Sequence, residues 1–192
     1  MRLTLASASP RRAELLAKIG VVPDAVIPAD IDESPLKSEL PRVYVARIAL
    51  AKAMAVQADG LILAADTTVA VGRRILGKPV DAAEATGFLM LLSGRRHKVI
   101  TSVALRLDDK IWQRSVETSV KFKRLSDAEI SAYLRSMEWR GKAGGYAIQG
   151  IGAAFIPSIN GSYTNVVGLP LTQTANLLTG AGYNVTYDGD AA

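Results

Sequence analysis

Apolar residues in this chain recur at two spacings, and the places where the spacing changes mark the elements. Leu3 and Leu5 start a strand. From Pro10 to Ile19 the apolar positions Leu15, Leu16 and Ile19 share one helical face, with Ser9 as N-cap, Pro10 at the first helical position and Gly20 as the stop. Val26 and Ile27 make a short strand, and Pro28 to Pro41 is irregular and acidic at its centre (Asp30, Asp32, Glu33). A second helix starts near Arg42, carries Val45, Ile48, Ala49 and Met54 at helical spacing, and is broken by Gly60. Leu61 to Ala65 is a continuous apolar run, which predicts a strand buried on both faces with Asp66 as its C-terminal residue.

Gly72-Arg73-Arg74 reads as a turn between Thr68–Val71 and Ile75-Leu76. A third helix covers Ala82 to Leu92 and stops at Ser93-Gly94. Two long strands follow, Lys98–Leu107 and Ile111–Phe122, joined at Asp108-Asp109. Ser126 caps a helix through Arg135, with Glu129 completing a capping-box pattern. Gly141 to Gly168 is glycine-rich with a strand near Gly152–Ile156, and Pro170 opens a last helix ending at Gly180. The chain shows no internal repeat and no low-complexity linker. Residues 1–192 therefore predict a single α/β domain with a mixed sheet.

Composition narrows the chemistry. The chain has no cysteine and one histidine, His97, which removes disulfides, thiolate nucleophiles, cysteine-ligated zinc and multi-histidine metal sites. Any metal would be a hard cation held by oxygens, such as Mg²⁺ or Mn²⁺. A net charge of +5 suits a polyanionic ligand, and aromatic residues at 6% give little material for a nucleic-acid stacking face. Arg2 and Ala6-Ser7-Ala8 mimic a secretory signal, but the apolar run between them is too short, and no other stretch reaches membrane-spanning length. A cytoplasmic location is expected.

The segment from Leu5 to Leu16 brings a strand end, a small polar loop and a helix start onto one point. Free helix amide groups, the hydroxyls of Ser7 and Ser9, and the guanidinium groups of Arg11 and Arg12 would then suit a phosphate; the alternative is a capped surface helix with solvated arginines. Asp66, at a strand end, either binds a divalent metal or activates water, or else caps a turn with Thr67 and Thr68. Glu33 beside Asp32, Lys52 in mid-helix and Lys78 in Gly77-Lys78-Pro79 offer a second carboxylate and two cations. Gly141-Lys142-Ala143-Gly144-Gly145 and Gly150-Ile151-Gly152 fit neither a Walker A loop nor the dinucleotide fingerprint; Gln149 between them can read a base edge or orient a water. His97, at a strand start, is assigned to packing.

In order along the chain, several segments resemble the Maf family of nucleoside-triphosphate pyrophosphatases. They are Leu5-Ala6-Ser7-Ala8-Ser9-Pro10-Arg11-Arg12, Asp32-Glu33, Leu50-Ala51-Lys52-Ala53, Ala65-Asp66-Thr67, Gly77-Lys78-Pro79 and Leu92-Ser93-Gly94. Lys142-Ala143-Gly144-Gly145-Tyr146, Gly161-Ser162-Tyr163 and Val167-Gly168-Leu169-Pro170-Leu171 complete the series, which spans nearly the whole chain.

The resemblance implies a two-lobed α/β fold with a deep central cleft, similar to inosine-triphosphate pyrophosphatases. It implies metal-dependent cleavage of a nucleoside triphosphate to the monophosphate and pyrophosphate, and a homodimer. The family's phosphate loop falls on Ser7, Ser9, Arg11 and Arg12, and its acidic and lysine positions on Glu33, Lys52, Asp66 and Lys78. Asp66 and Glu33 would hold Mg²⁺ or Mn²⁺, and Thr67 and Gln149 would face the base. Arg11-Arg12, Thr67 and Gln149 resemble the branch acting on dTTP and UTP, not the branch acting on 7-methyl-GTP. The competing expectations are a nucleotide- or nucleic-acid-binding regulator of cell division, which has no need for Asp66 and Glu33 together, and a pyrophosphatase of 7-methyl-GTP, against which Thr67 and Gln149 speak. Nucleic acid and membrane are not expected as partners.

Overall fold

The computed structural model of the protein describes residues 1–188. Its chain order begins β1 (Leu3–Ala6), α1 (Pro10–Ala17), β2 (Ala25–Val26), α2 (Pro41–Ala55), β3 (Leu61–Val71) and β4 (Arg74–Leu76). It continues with α3 (Ala82–Leu92), β5 (Arg96–Leu107), β6 (Lys110–Lys121), α4 (Asp127–Arg135), β7 (Ser158–Asn160), α5 (Tyr163–Val167) and α6 (Leu171–Gly180). Among the described residues the strands form one mixed sheet in the order β2-β1-β3-β5-β6-β7, with β4 also paired to β3. The β2-β1-β3 pairs are parallel and the others antiparallel.

Side-chain alternation along β3 sorts the core. Leu61, Leu63 and Ala65 pack with Leu15 and Leu16 of α1 and with Leu177 and Leu178 of α6. Ile62 and Ala64 face the other way, against Ala49 and Ala53 of α2. Ala49, Ala53 and Ala64 leave room for Ile62 between the helix and the sheet. A further apolar cluster gathers Val69, Leu76, Phe88, Leu89, Leu92, Val120, Phe122 and Tyr133 around the far ends of β5 and β6. The two long strands therefore run through both cores, and the cleft opens between them.

The strand carrying Asp66 continues well past it. Asp66 lies inside β3, opposite Ser102 of β5, because the β-branched Thr67, Thr68 and Val69 extend the pairing on to Ala70 opposite Lys98. The other edge of β3 is covered in two pieces. β1 pairs with Leu61 to Ala64, and β4 with Val69 to Val71. Ala65 to Thr68 thus have a bare edge between two covering strands, so Asp66 still meets open space where β1 ends.

Other expectations need adjustment. α1 ends at Ala17, before Ile19, and the chain turns through Gly20 at φ +71°. Ser9 takes the N-cap position of α1, but its side chain makes no capping hydrogen bond. The strand expected at Gly152–Ile156 is a 3₁₀ turn, Ile151–Phe155, in which a Cβ on residue 152 would come within 2.5 Å of the Ala147 carbonyl oxygen. The strand proper is Ser158–Asn160, paired to β6. The short helix α5, capped by the Ser162 side chain on Asn165 N, had no apolar periodicity to announce it.

Leu63 is fully buried in the middle of the sheet. Leu63→Ala should lower unfolding free energy in urea by roughly 2–5 kcal/mol. Val80→Ala, at a residue 87% exposed, should stay within about 0.5 kcal/mol of the parent.

Candidate functional site: a cationic cleft at the bare edge of β3

Because successive residues of a strand face opposite sides, Asp66 looks toward α2 and Thr67 toward α1 and α5. Asp66 meets Lys52, which α2 presents one turn beyond the buried Ile48 and Ala49. Lys52 Nζ lies 2.8 Å from Asp66 Oδ1 and 2.8 Å from Glu33 Oε1, bridging two carboxylates that are distant in sequence. Burial raises the Asp66 pKa above the ordinary aspartate value, opposed by the charge and hydrogen bond of Lys52 and by Arg12. For Glu33, partial burial also disfavours the charge, but Lys52, Lys78 and Arg12 together bring its pKa below the ordinary value. Burial thus shifts Asp66 upward while the surrounding cations shift Glu33 downward, so the two carboxylates differ in their affinity for a proton.

Glu33 belongs to the irregular segment before α2, and α2 fixes that segment in place. The Tyr44 hydroxyl donates to the Glu33 backbone oxygen at 2.9 Å. Arg47 grips Glu39 with two hydrogen bonds, at 2.8 and 2.7 Å, and donates a third at 3.1 Å to the Ser34 oxygen. Tyr44, Arg47 and Ile48 occupy one side of the helix at spacings of three and four residues, so one helical face anchors the loop. Burial pushes the Tyr44 phenol up to about 12, helped by the negative charge of Asp66 and Glu33, which keeps it a hydrogen-bond donor.

The two neighbouring arginines have different surroundings. Arg12 is buried and donates to Gly168 O at 2.9 Å, Ser7 Oγ at 2.8 Å and Thr67 Oγ1 at 3.3 Å. It ties α1, β3 and the end of α5 together while lining the cleft. Ser7 is buried beneath it, and its oxygen also accepts from Ser9 N. Arg11 is half-buried, faces the cleft, and has a buried Nε with no hydrogen-bond partner. Burial lowers its pKa, opposed by Glu14.

Ser9, Lys52, Asp66, Thr67, Lys78 and Gln149 line the same cleft, while Glu33 reaches it through Lys52. Two further cations line it that the sequence reading did not single out, Arg140 and Lys142. Among the described residues none of Arg11, Lys78, Arg140 or Lys142 forms an ion pair. Burial lowers the pKa of Lys142, and the positive charge of Arg11 lowers it further. Their signal in the sequence was a pair of basic residues flanking Gly141, ahead of Gly144 and Gly145. Those two glycines adopt φ +70°, and a Cβ on residue 144 would meet the Val69 methyl groups at 2.9 Å. Gly144 N also donates to Gly77 O at 2.9 Å, joining the turn that bears Lys78 to the turn that bears Lys142. The Glu138 carboxylate accepts from Ile151 N and Gly152 N at 2.9 and 3.2 Å, bracing the turn that carries Gln149.

His97 is buried with Nε2 at 2.7 Å from the Tyr146 hydroxyl, and burial holds its pKa down to about 4. It is neutral at physiological pH and supports the cleft wall from behind through Tyr146.

Among the described residues no three His, Asp or Glu side chains converge on one metal position. Asp66 Oδ2 and Glu33 Oε2 nevertheless have no protein partner among those residues. Two carboxylate oxygens beside four unpaired cations suit a hard divalent ion whose remaining ligands are phosphate oxygens and water.

An α/β cleft lined by Arg11, Lys78, Arg140 and Lys142 without ion-pair partners among the described residues has the charge to suit a polyanion. The chain belongs to the Maf family: the family model described as Maf-like protein matches residues 2–181. Relatives named dTTP/UTP pyrophosphatase include one from Cereibacter sphaeroides, 64% identical over 95% of this chain and 96% of its own length. Others come from Roseobacter denitrificans, 62% identical over 93% and 96%, and Caulobacter vibrioides, 58% identical over 94% and 96%. Among solved structures, that of the Staphylococcus aureus Ham1 protein aligns with a TM-score of 0.44 and 16% identity, covering 64% of this chain and 72% of that one.

Because the folded pKa of Asp66 lies above its unfolded value, this group's contribution to stability is fully present below the unfolded pKa. It is lost as pH rises through the folded pKa. Replacing Lys52 removes two of the influences that restrain the shift. Lys52→Met should therefore move the Asp66 carboxyl titration, followed by carbon NMR against an Asp66→Asn reference, to higher pH. An unmoved midpoint would show that Lys52 does not offset the burial of Asp66.

Proposed function

We propose that the protein hydrolyses dTTP and UTP to the monophosphate and pyrophosphate, using Mg²⁺ or Mn²⁺. The observation that carries the reaction is Asp66: a buried carboxylate of raised pKa, with one oxygen on Lys52 and the other without a protein partner, placed at the bare edge of β3. The names of the relatives at 58–64% identity support the choice of base.

In this reading Asp66 and Glu33 position the attacking water, and Asp66 accepts its proton. The water oxygen bonds to phosphorus, the α–β anhydride bond breaks, and pyrophosphate leaves. Glu33 and Asp66 would hold the divalent ion, which supplies Lewis-acid polarisation of the phosphoryl group when bound. Lys52 fixes the spacing of the two carboxylates. Arg11 and Lys78 neutralise charge on the phosphates, and the Ser9 hydroxyl, unused as a cap, is available to a phosphate oxygen. Arg12 and Ser7 shape the loop that presents these groups, and Thr67 and Gln149 face the base. A cytoplasmic homodimer with no membrane or nucleic-acid partner belongs to the same proposal; among the described residues no helix is long and apolar enough to cross a membrane.

The test is pyrophosphate release from a panel of nucleoside triphosphates. dTTP and UTP should turn over above the purine nucleotides, and Asp66→Asn should lower kcat by roughly 10²–10⁴-fold while the protein keeps its fold by circular dichroism. A folded Asp66→Asn protein with parental rates would remove Asp66 from the chemistry.

A further inference from the structure

The helix α2 turns its lysine inward and leaves apolar residues on its outer side. Its sequence holds no Asp, Glu, Asn, Gln, Ser or Thr, and its charged residues are Arg42, Arg47 and Lys52. Lys52 is buried against Asp66 and Glu33, and Arg47 is held by Glu39. The outer side is left to Val43, Ala46, Leu50, Ala51, Met54 and Ala55, with Val43 55% and Met54 46% exposed. A helix bordering water ordinarily shows it a polar face, whereas one that is apolar nearly all round is covered. The apolar surface continues past both ends of the helix. Leu40, at the N-cap position, is exposed. At the other end Ile111 of β6 is exposed opposite Arg106, whose guanidinium donates to Val56 O at 2.9 Å.

The pattern of this face selects its occupant, because the face is its own complement. Read inward from the two ends, Arg42 matches Ala55, Val43 matches Met54, Ala46 matches Ala51 and Arg47 matches Leu50. Two copies of α2 laid antiparallel about a two-fold axis would therefore set bulky side chains against each other at both ends. Methyl groups meet nearer the middle, where the helices can approach closely. No like charges are forced together: Arg42 lies about 20 Å along the axis from its own copy, and Glu39 neutralises Arg47. A lipid surface would call for a strongly basic polar face, and here the lysine is buried and one arginine is paired. We propose that the outer face of α2 is a two-fold interface, occupied by a second copy of this chain packed antiparallel upon it. This gives the homodimer of the functional reading its surface and rests on that part of the reading alone. The interface backs onto the cleft, since Lys52 lies on the inner side of the same helix and Arg47 at the edge of the face also holds the segment bearing Glu33.

The experiment is sedimentation equilibrium over a concentration series for the parent, Val43→Glu, Leu50→Glu and Met90→Glu proteins, the last altered at an exposed residue of α3. The parent should sediment at twice the mass of one chain. Val43→Glu and Leu50→Glu should each raise the dimer dissociation constant by about 100-fold or more, because the symmetry buries every added charge twice. Met90→Glu should leave the dimer intact, and circular dichroism checks that the variants are folded. A monomeric parent overturns the proposal, and if that parent cosediments with anionic vesicles the face belongs to a lipid surface. An unshifted dimer in both α2 variants, or equal weakening by Met90→Glu, also overturns it. Should the α2 variants not fold, cross-linking decides, since the chain has no cysteine of its own. Ala46→Cys and Ala51→Cys proteins, mixed and oxidised, should form a covalent dimer of one chain of each kind, and neither alone should do so. No cross-link on mixing overturns the antiparallel packing. Pyrophosphate release is read separately, so loss of the interface leaves the proposed chemistry standing, and a dimer without turnover sinks the chemistry alone.

Discussion

The site depends on a mismatch in strand length. β3 pairs with β5 over ten successive residues, yet its opposite edge is covered by only four residues of β1 and three of β4. Between those pieces the backbone of Ala65 to Thr68 has no neighbouring strand. Alternation then lets one short stretch serve both faces of the sheet at once: Asp66 on the α2 side, Thr67 on the side of α1 and α5. A β1 four residues longer would cover this edge and close the opening. The loop from Ser7 to Ser9 takes its place, carrying the chain into α1 and bringing Arg11 and Arg12 to the gap.

Charge explains how the carboxylates at this opening are held. A carboxylate as buried as Asp66 would lose its charge without a cation, and a lysine as buried as Lys52 needs an anion. Each satisfies the other, and Glu33 completes the bridge from a segment that has no regular structure of its own. That segment could not hold a carboxylate in place by its own packing, so α2 does so through Tyr44 and Arg47. One helix thus supplies the central cation and the anchors for one of the two anions around it. The outer cations lack such pairing. The positive charge of Arg11 disfavours that of Lys142, which burial already disfavours.

Much of this architecture is legible in the apolar pattern, because long periodic stretches leave little choice. The helix at Ala82–Leu92 and the two long hairpin strands near Lys98–Leu107 and Ile111–Phe122 lie close to where the spacing puts them. The reading went astray where a polar residue interrupts an apolar run. Asp66 looked like the end of a strand because a charge seldom sits inside a buried one, and only the partner Lys52, from elsewhere in the chain, permits it. Around Gly152 glycines and alanines carry no periodicity, so a 3₁₀ turn passed for a strand. Among the candidate site residues, Ser9, Arg11, Lys52, Asp66, Thr67, Lys78 and Gln149 meet at one cleft, whereas Ser7 lies buried under Arg12. Tyr44 and Glu138 were invisible beforehand, since each acts through backbone groups supplied by the tertiary fold.

Arg11 and Arg12 show how adjacent residues of one type take different tasks. About 100° of helical rotation separates them. Arg12 turns into the junction of three elements, where three of its five N–H groups bind protein oxygens. Arg11 turns into the cleft and makes no ion pair among the described residues. A lysine at Arg12 could not span Gly168, Ser7 and Thr67 from one planar group, so the demand there is geometric. At Arg11 the demand is for charge, and its unpartnered Nε leaves a donor for an anion. The same distinction orders the cleft as a whole: groups that fix geometry are paired and buried, and groups suited to a polyphosphate are left with open valences toward it.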